Sequence, residues 1–223
     1  MNMNIASDHV YELPFYSQLT DAEVEFVKSN VEIRKFHKGE ILYGCGESCL
    51  GMSHVLSGNI RVYIVSDEGR EITLYTLEKS DNCVMSASCV IRQITFETVI
   101  AAEEDSEMLI LDSGAFEQLT ESNIYVKEFM YELATERFSQ VMWVMQEILF
   151  CGFDRRLARF LISEYERTGE TEVKMTQEEI ARNVNSAREV VARMLKRFSK
   201  EGLVTADFGC IHLCDIDSLK QLI

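Results

Sequence analysis

The chain has 223 residues, 47% of them hydrophobic and 26% charged, the balance of a globular protein with a real core rather than a disordered or fibrous one. No run of about 18 apolar residues occurs, which excludes a conventional membrane-spanning helix, and the start MNMNIASDHVYELPF lacks the basic end and apolar stretch of an export signal. The formal net charge of -15 argues against a nucleic-acid partner only if the acid is evenly spread, and it is not: residues 151–223 hold 12 Lys+Arg against 12 Asp+Glu, so residues 1–150 hold 10 against 25. Seven scattered cysteines, an odd number without an export signal, read as free thiols and place the chain in the reducing cytoplasm.

LTDAEVEFVKSN is expected to form a short helix, with Thr20 as N-cap and Glu23 closing a capping box. Residues 31–112 read as strands, because alternating runs such as GNIRVYIVS and EITLYTL are separated by the turn signals KGE, GCGE, LSGN and DEGR. Such spacing suggests a small all-β barrel or roll. No Pro or Gly occurs between Ala115 and Cys151, and Val126, Phe129, Met130, Leu133, Val141, Val144, Met145 and Ile148 recur at three- and four-residue steps. That pattern predicts an amphipathic helix of roughly 25 residues, long enough to leave its own domain and pair with a second copy. Beyond CGF, at 151–153, DRRLARFLISEYERTG is a further amphipathic helix closed by Gly169, and EVKM a short strand.

The stretch MTQEEIARNVNSAREVVARMLKRFSKEGLV carries a mechanism. Thr176 and Glu179 have capping-box spacing, so a helix starts at Gln177; Ser186 and Glu189 repeat it, so a second starts at Ala187. Asn185, in the turn between them, is a residue type that tolerates the left-handed conformation. Helix, tight turn and helix make the DNA-binding helix-turn-helix. On the second helix Arg188, Glu189, Ala192, Arg193, Lys196 and Lys200 fall on one side, and Val190, Val191, Met194, Leu195 and Phe198 on the other. The narrow basic side suits the major groove. Arg188 and Arg193 can each bond a guanine bidentately, Glu189 can accept from a cytosine amino group, and Ser186 and Lys196 can hold phosphates. Thr176 and Gln177, at the start of the first helix, complete the candidate DNA contacts. EGLVTADFGCIHLCD then reads as a hairpin with its tip at Asp207-Phe208-Gly209, a wing laid on the DNA backbone.

These motifs, with FHKGEILYGCGES and HVLSGNIRVYIVSDEGREITLYTL upstream, resemble the Crp/Fnr family of bacterial transcription regulators over nearly the whole chain. The resemblance implies an α+β fold: an N-terminal antiparallel β-roll (a double-stranded β-helix of the cyclic-nucleotide-binding type) over residues 1–122, a long dimerisation helix over 123–150, and a C-terminal winged helix-turn-helix over 151–223. It further implies a non-enzymatic homodimer on palindromic double-stranded DNA that contacts RNA polymerase and receives a signal in the roll. Arg188, Glu189 and Arg193 match the family's base-reading positions.

One departure concerns the effector. Where cyclic-nucleotide-binding relatives hold a Gly-Glu pair and then Arg-Ser or Arg-Thr, this chain has NCVMSASCVI and QITFETVIAAEE, with no arginine between 93 and 102. A cyclic phosphate needs a positive partner, and Glu97 would repel it. The effector and any cofactor are therefore unknown. Cys83, Ser86, Ser88 and Cys89 are the candidate ligand-facing residues. Cys45 with Cys49, and Cys83 with Cys89, are candidate thiol sensors, while Cys210 and Cys214 read as incidental. Neither pair has the C-x2-C spacing of a zinc site, so no metal site is assigned, although the two pairs brought together by the roll could form a thiol sensor or a metal site. Haem would need an axial ligand, for which His37 and His54 are lone candidates. The alternative reading, a cupin-like metal- or ligand-binding barrel with an accessory helical domain, needs clustered histidines, and the four present, His9, His37, His54 and His212, are dispersed.

Overall fold

A computed structural model describes residues 6–44, 50–84, 98–207 and 209–223. Two compact units emerge: one comprises Met1–Gly69 and Leu74–Val141, the other Met142–Ile223 with Arg70–Thr73.

The first unit begins with single helical turns and then α1 (Asp21–Ser29), whose capping box forms as expected: the Glu23 amide donates to the Thr20 hydroxyl and Glu23 accepts from the Thr20 amide. Eight strands follow among the described residues: β1 (Val31–Phe36), β2 (Ile41–Tyr43), β3 (Met52–Ser57), β4 (Ile60–Val65), β5 (Glu71–Leu77), β6 (Asn82–Cys83), β7 (Val99–Ala102) and β8 (Ser106–Leu111). They form two four-stranded sheets in the orders β1-β8-β3-β6 and β2-β7-β4-β5. The pairings β1–β8, β2–β7, β3–β6, β3–β8 and β4–β7 are antiparallel, in the interleaved order of a roll. Strand β3 is buried on both faces over Met52–Val55. Val31, Leu111 and Met52 lie opposite one another and pack in one core with Val10, Leu13, Phe15, Phe116 and Val126, so the roll's outer face is covered by helical segments. Gly51 sits at φ 97, and a Cβ there would strike the Leu111 carbonyl oxygen; only glycine fits this entry into β3.

Helix α2 (Ser113–Ser122) is capped by Asp112, and α3 (Ile124–Phe150) follows it. Two stripes of α3 are apolar. Val126, Met130 and Leu133 are buried in the core of the first unit. Tyr131, Phe138, Met142, Met145 and Leu149 are exposed.

The second unit contains α4 (Phe153–Thr168), β9 (Glu172–Val173), α5 (Gln177–Asn183), α6 (Arg188–Lys200), β10 (Val204–Asp207), β11 (Cys210–Leu213) and α7 (Ile216–Gln221). Helix α4 ends as its sequence demands, on Gly169 at φ 73, with the Gly169 amide donating to the Tyr165 carbonyl at 2.8 Å. Its buried face, Leu157, Ala158, Leu161 and Ile162, shares a core with Ile180 and Val184 around α5, with Val191, Leu195 and Phe198 of α6, and with Val204, Ile211 and Leu213 of the wing. Strands β10, β11 and β9 form an antiparallel sheet in that order.

Candidate nucleic-acid interface

Helix α5 starts where its capping box requires. The Glu179 amide donates to the Thr176 hydroxyl at 3.2 Å, and the Thr176 amide donates to the Glu179 carboxylate at 2.7 Å. Asn185 takes the left-handed conformation at φ 51 and reverses the chain between α5 and α6. The second capping box does not form. Helix α6 begins at Arg188, one residue later than the sequence suggests, with Ala187 as N-cap and no side-chain cap bond. The reason is local: the Ser186 amide donates back to the Ala181 carbonyl at 2.9 Å, which spends that residue on closing the turn.

The two faces of α6 separate as the periodicity requires. Val191, Leu195 and Phe198 are buried, while Arg188, Glu189, Arg193, Lys196 and Lys200 are exposed. Among the described residues, no ion pair holds Arg188, Arg193 or Lys196. Arg197, just outside that face, is instead tied to Glu201 by a hydrogen bond at 2.8 Å, which raises its pKa. The cations on the recognition face are thus open to an external anion. Ser186 and Gln177 are half-buried and Thr176 exposed; Thr176 is committed to its cap. The wing follows, with Asp207 opposite Cys210 and Thr205 opposite His212; Phe208 at its tip lies outside the described residues.

In the first unit, the described part of the candidate ligand-facing set is Cys83; Ser86, Ser88, Cys89, Cys45 and Cys49 lie outside the described residues. Cys83 is buried opposite Ser53, which in turn faces Ile110 across β3 and β8. Burial, and then the neighbouring Cys83 thiol, push the Tyr75 hydroxyl pKa well above its ordinary value. Arg137 of α3 is buried beside them. Its guanidinium donates to the Asn82 carbonyl at 3.0 Å and to Gln140 at 2.9 Å, and lies 4.9 Å from the centre of the Tyr75 ring. Arg61 is also buried, 4.2 Å over the ring of Tyr63. Sequence reading singled out neither arginine, because one sits in a helical stripe and the other in a strand with no accompanying motif. His54 is buried, its Nδ1 within 2.9 Å of Asn82 Oδ1 and its Nε2 3.8 Å from Glu12, the surroundings of a satisfied core histidine. His37 is on the surface.

Comparison with known proteins covers both units. The cyclic nucleotide-binding domain family matches residues 33–123, and the Crp-like helix-turn-helix domain family matches residues 155–222. A crystal structure from Eubacterium rectale, described as a transcriptional regulator of the Crp/Fnr family, is 38% identical, with a TM-score of 0.89, covering 95% of this chain and 98% of that one. The transcriptional regulatory protein Btr of Bordetella pertussis is 22% identical over 89% of this chain and 83% of its own length. The cAMP-activated global regulator CRP of Pasteurella multocida is 21% identical over 83% and 91%.

Proposed function

The chain belongs to the Crp/Fnr family of transcription regulators, and from that premise we propose that it binds palindromic DNA as a homodimer through α6, under control of an effector other than a cyclic nucleotide held in the usual way. The observation that carries this reading is the recognition face of α6. Arg188 and Arg193 are exposed, unpaired among the described residues, and set on a helix whose opposite face is fully committed to the core. In the major groove they read guanine, Glu189 reads cytosine, and Lys196, Ser186 and Gln177 contact the backbone, while Thr176 keeps its hydroxyl and amide on the helix cap.

The dimer is supported by α3. Tyr131, Thr135, Phe138, Met142, Met145 and Leu149 alternate at four- and three-residue steps, the spacing of a coiled-coil seam, and all are exposed. The sequence periodicity mixes two stripes: Val126, Met130 and Leu133 are consumed by the first unit's own core, leaving the seam to the other side. The effector reading rests on the missing Gly-Glu and Arg-Ser/Thr pairs and on the surroundings of Cys83, where Tyr75 and Arg137 supply a hydroxyl and a fixed positive charge. RNA polymerase is the further partner that the family suggests.

Selection of bound sequences from a random DNA pool tests the reading. Two-fold symmetric sites are expected, with base preferences that relax in Arg188→Ala and Arg193→Ala. Unchanged preferences in both variants would remove the recognition helix from the mechanism. Titration with cyclic AMP is expected to leave DNA affinity unaltered; a saturable rise would overturn the effector reading.

A further inference from the structure

The wing carries a second constellation that the DNA reading does not use. Pairing of β9 with β11 sets Glu172 opposite His212, and pairing of β10 with β11 sets Asp207 opposite Cys210. Cys210 and His212 are two apart on one strand, so all four side chains leave the sheet on the same face. The other face is pinned, because Val173, Val204, Ile211 and Leu213 are buried in the unit's core. The outward set is therefore mounted on strands whose register cannot slip.

The geometry points to a divalent-metal site formed by Glu172, Cys210 and His212, its remaining position open to water. One ligand atom from each of the three lies within 4.8 Å of the other two. His212 Nε2 is 3.8 Å from Cys210 Sγ and 3.7 Å from Asp207 Oδ2, and His212 Nδ1 is 3.6 Å from Glu172 Oε1. One imidazole nitrogen serves one ion, and Nδ1 faces Glu172 while Nε2 faces Cys210, so tetrahedral zinc, with metal–ligand bonds of about 2.0–2.3 Å and ligands about 3.3–3.7 Å apart, is reached by turning the Glu172 or the Cys210 side chain to the nitrogen that binds. The donor chemistry selects among metals. A thiolate, an imidazole and a carboxylate suit zinc, whereas magnesium and calcium take oxygen ligands alone. Lys174 lies 3.8 Å from the second Glu172 oxygen and competes only weakly, being itself exposed. Cys214 is not in the group; its thiol turns to the His212 carbonyl at 3.7 Å.

Binding displaces the Cys210 thiol proton to solvent and requires neutral His212. It also changes the charge of the wing. The metal-free face carries the two carboxylates; the loaded face adds a thiolate and a doubly positive ion, and so is less negative by one. A wing in a winged helix lies along DNA phosphates, so zinc strengthens DNA binding. This regulatory half rests on the DNA-binding reading, and the site itself does not.

Cobalt(II) and zinc(II) chloride, titrated into the full-length reduced protein, test the site directly. One equivalent of cobalt is expected to give a thiolate-to-cobalt charge-transfer band that zinc abolishes. Cys210→Ser should lose the band, and His212→Ala and Glu172→Gln should weaken zinc by at least about tenfold, the loss that even outer-shell partners cost. Cys214→Ser should keep both. Far-ultraviolet circular dichroism confirms that each variant is folded, and Glu172→Gln, on an exposed position, guards against a folding failure in the others. A full band in Cys210→Ser, or stoichiometric zinc affinity unchanged in both His212→Ala and Glu172→Gln, overturns the site. Zinc is expected to tighten operator binding by wild type and not by His212→Ala. Zinc bound at the wing with no change in DNA affinity overturns the regulatory half alone, while failure of metal-free protein to bind any DNA strikes the DNA-binding reading instead.

Discussion

Phe138→Ala tests the dimer seam on α3. Phe138 is 64% exposed in the single chain. An aromatic side chain of this size offers about 200 Å² in all, so about 130 Å² is available for a partner to cover. At about 25 cal/mol per Å², and allowing for the methyl that alanine retains, its loss is about 2–3 kcal/mol per protomer. The substitution occurs twice in a two-fold dimer, giving an upper figure of about 4–6 kcal/mol. Association also costs side-chain ordering and rigid-body entropy, so buried area does not convert fully into affinity. Even a third of that figure, about 1.3–2 kcal/mol, weakens dimerisation by about tenfold or more. Sedimentation equilibrium over a dilution series measures the dimer dissociation constant, and Ile41→Ala is the control, since Ile41 is 56% exposed on β2 and lies off the seam. A dissociation constant that moves equally in both variants, or in neither, refutes the assignment of the exposed stripe to the interface. Because Phe138 contributes nothing to the first unit's buried core, thermal stability measured at a dilution where both proteins are monomeric should be unchanged, which separates loss of association from loss of fold.

Lys196→Ala should weaken DNA binding uniformly across sequences and lower the salt slope by about 1, whereas Arg188→Ala and Arg193→Ala should each cost about 1–3 kcal/mol on preferred sites and little on others; fluorescence anisotropy at several salt concentrations distinguishes the two behaviours. Gly51→Ala should destabilise the first unit by more than about 2 kcal/mol in urea, because a left-handed backbone and a collision with the Leu111 carbonyl act together, while Gly39→Ala, at φ 85 with open space around its Cβ, should cost only the conformational part, about 1 kcal/mol; equal losses would contradict the close packing at Gly51. The Thr20 amide bond, ahead of every other cause, holds the Glu23 carboxyl below its ordinary pKa. A carboxylate whose folded pKa is depressed contributes stability above its unfolded pKa, near about 4.3, and loses it as pH falls through the folded value. Glu23→Gln should therefore lower the melting temperature at neutral pH, and the gap from wild type should close in strong acid; a gap that stays constant with pH would assign the effect to something other than charge.

How far the sequence reveals this molecule depends on whether a feature is periodic or paired. The recognition helix is legible because an α-helix writes its buried face every three to four residues, and Val191, Leu195 and Phe198 alternate cleanly with charge. The first capping boxes, at Thr20 and Thr176, are legible because the motif is local. Ser186 shows the limit: the same spacing is present, but closure of the turn onto Ala181 takes the residue out of the cap. Helix α3 exceeds the reach of periodicity for a different reason. Both its stripes are apolar, and which of them meets the first unit's core is decided by Phe116, Leu109 and Met130 packing in three dimensions. The alternation in GNIRVYIVS suggests a half-exposed strand, yet Ile60–Tyr63 is buried throughout, since a strand inside a closed roll has neighbours on both sides.

The wing extends this to the chemistry. Cys210-x-His212 is visible in the chain, but a cysteine and histidine two residues apart are unremarkable without knowing that β9 returns Glu172 to face them, and nothing local announces that β9 pairs with β11 at that register. The same holds for Arg137, which meets the Asn82 carbonyl and the Tyr75 ring, residues more than 50 positions away in the chain. Charge follows the same division. The acid lies mainly in residues 1–150, where it repels phosphate and discourages non-specific association, while the open cations of α6 remain free to act. The wing's carboxylates are among the 12 acidic residues of 151–223, set within the DNA-binding unit itself. A bound divalent ion is the change that would turn that local repulsion down without altering the recognition face. The wing's metal therefore predicts a shift in affinity with no shift in sequence preference, the opposite signature from the loss of Arg188 or Arg193.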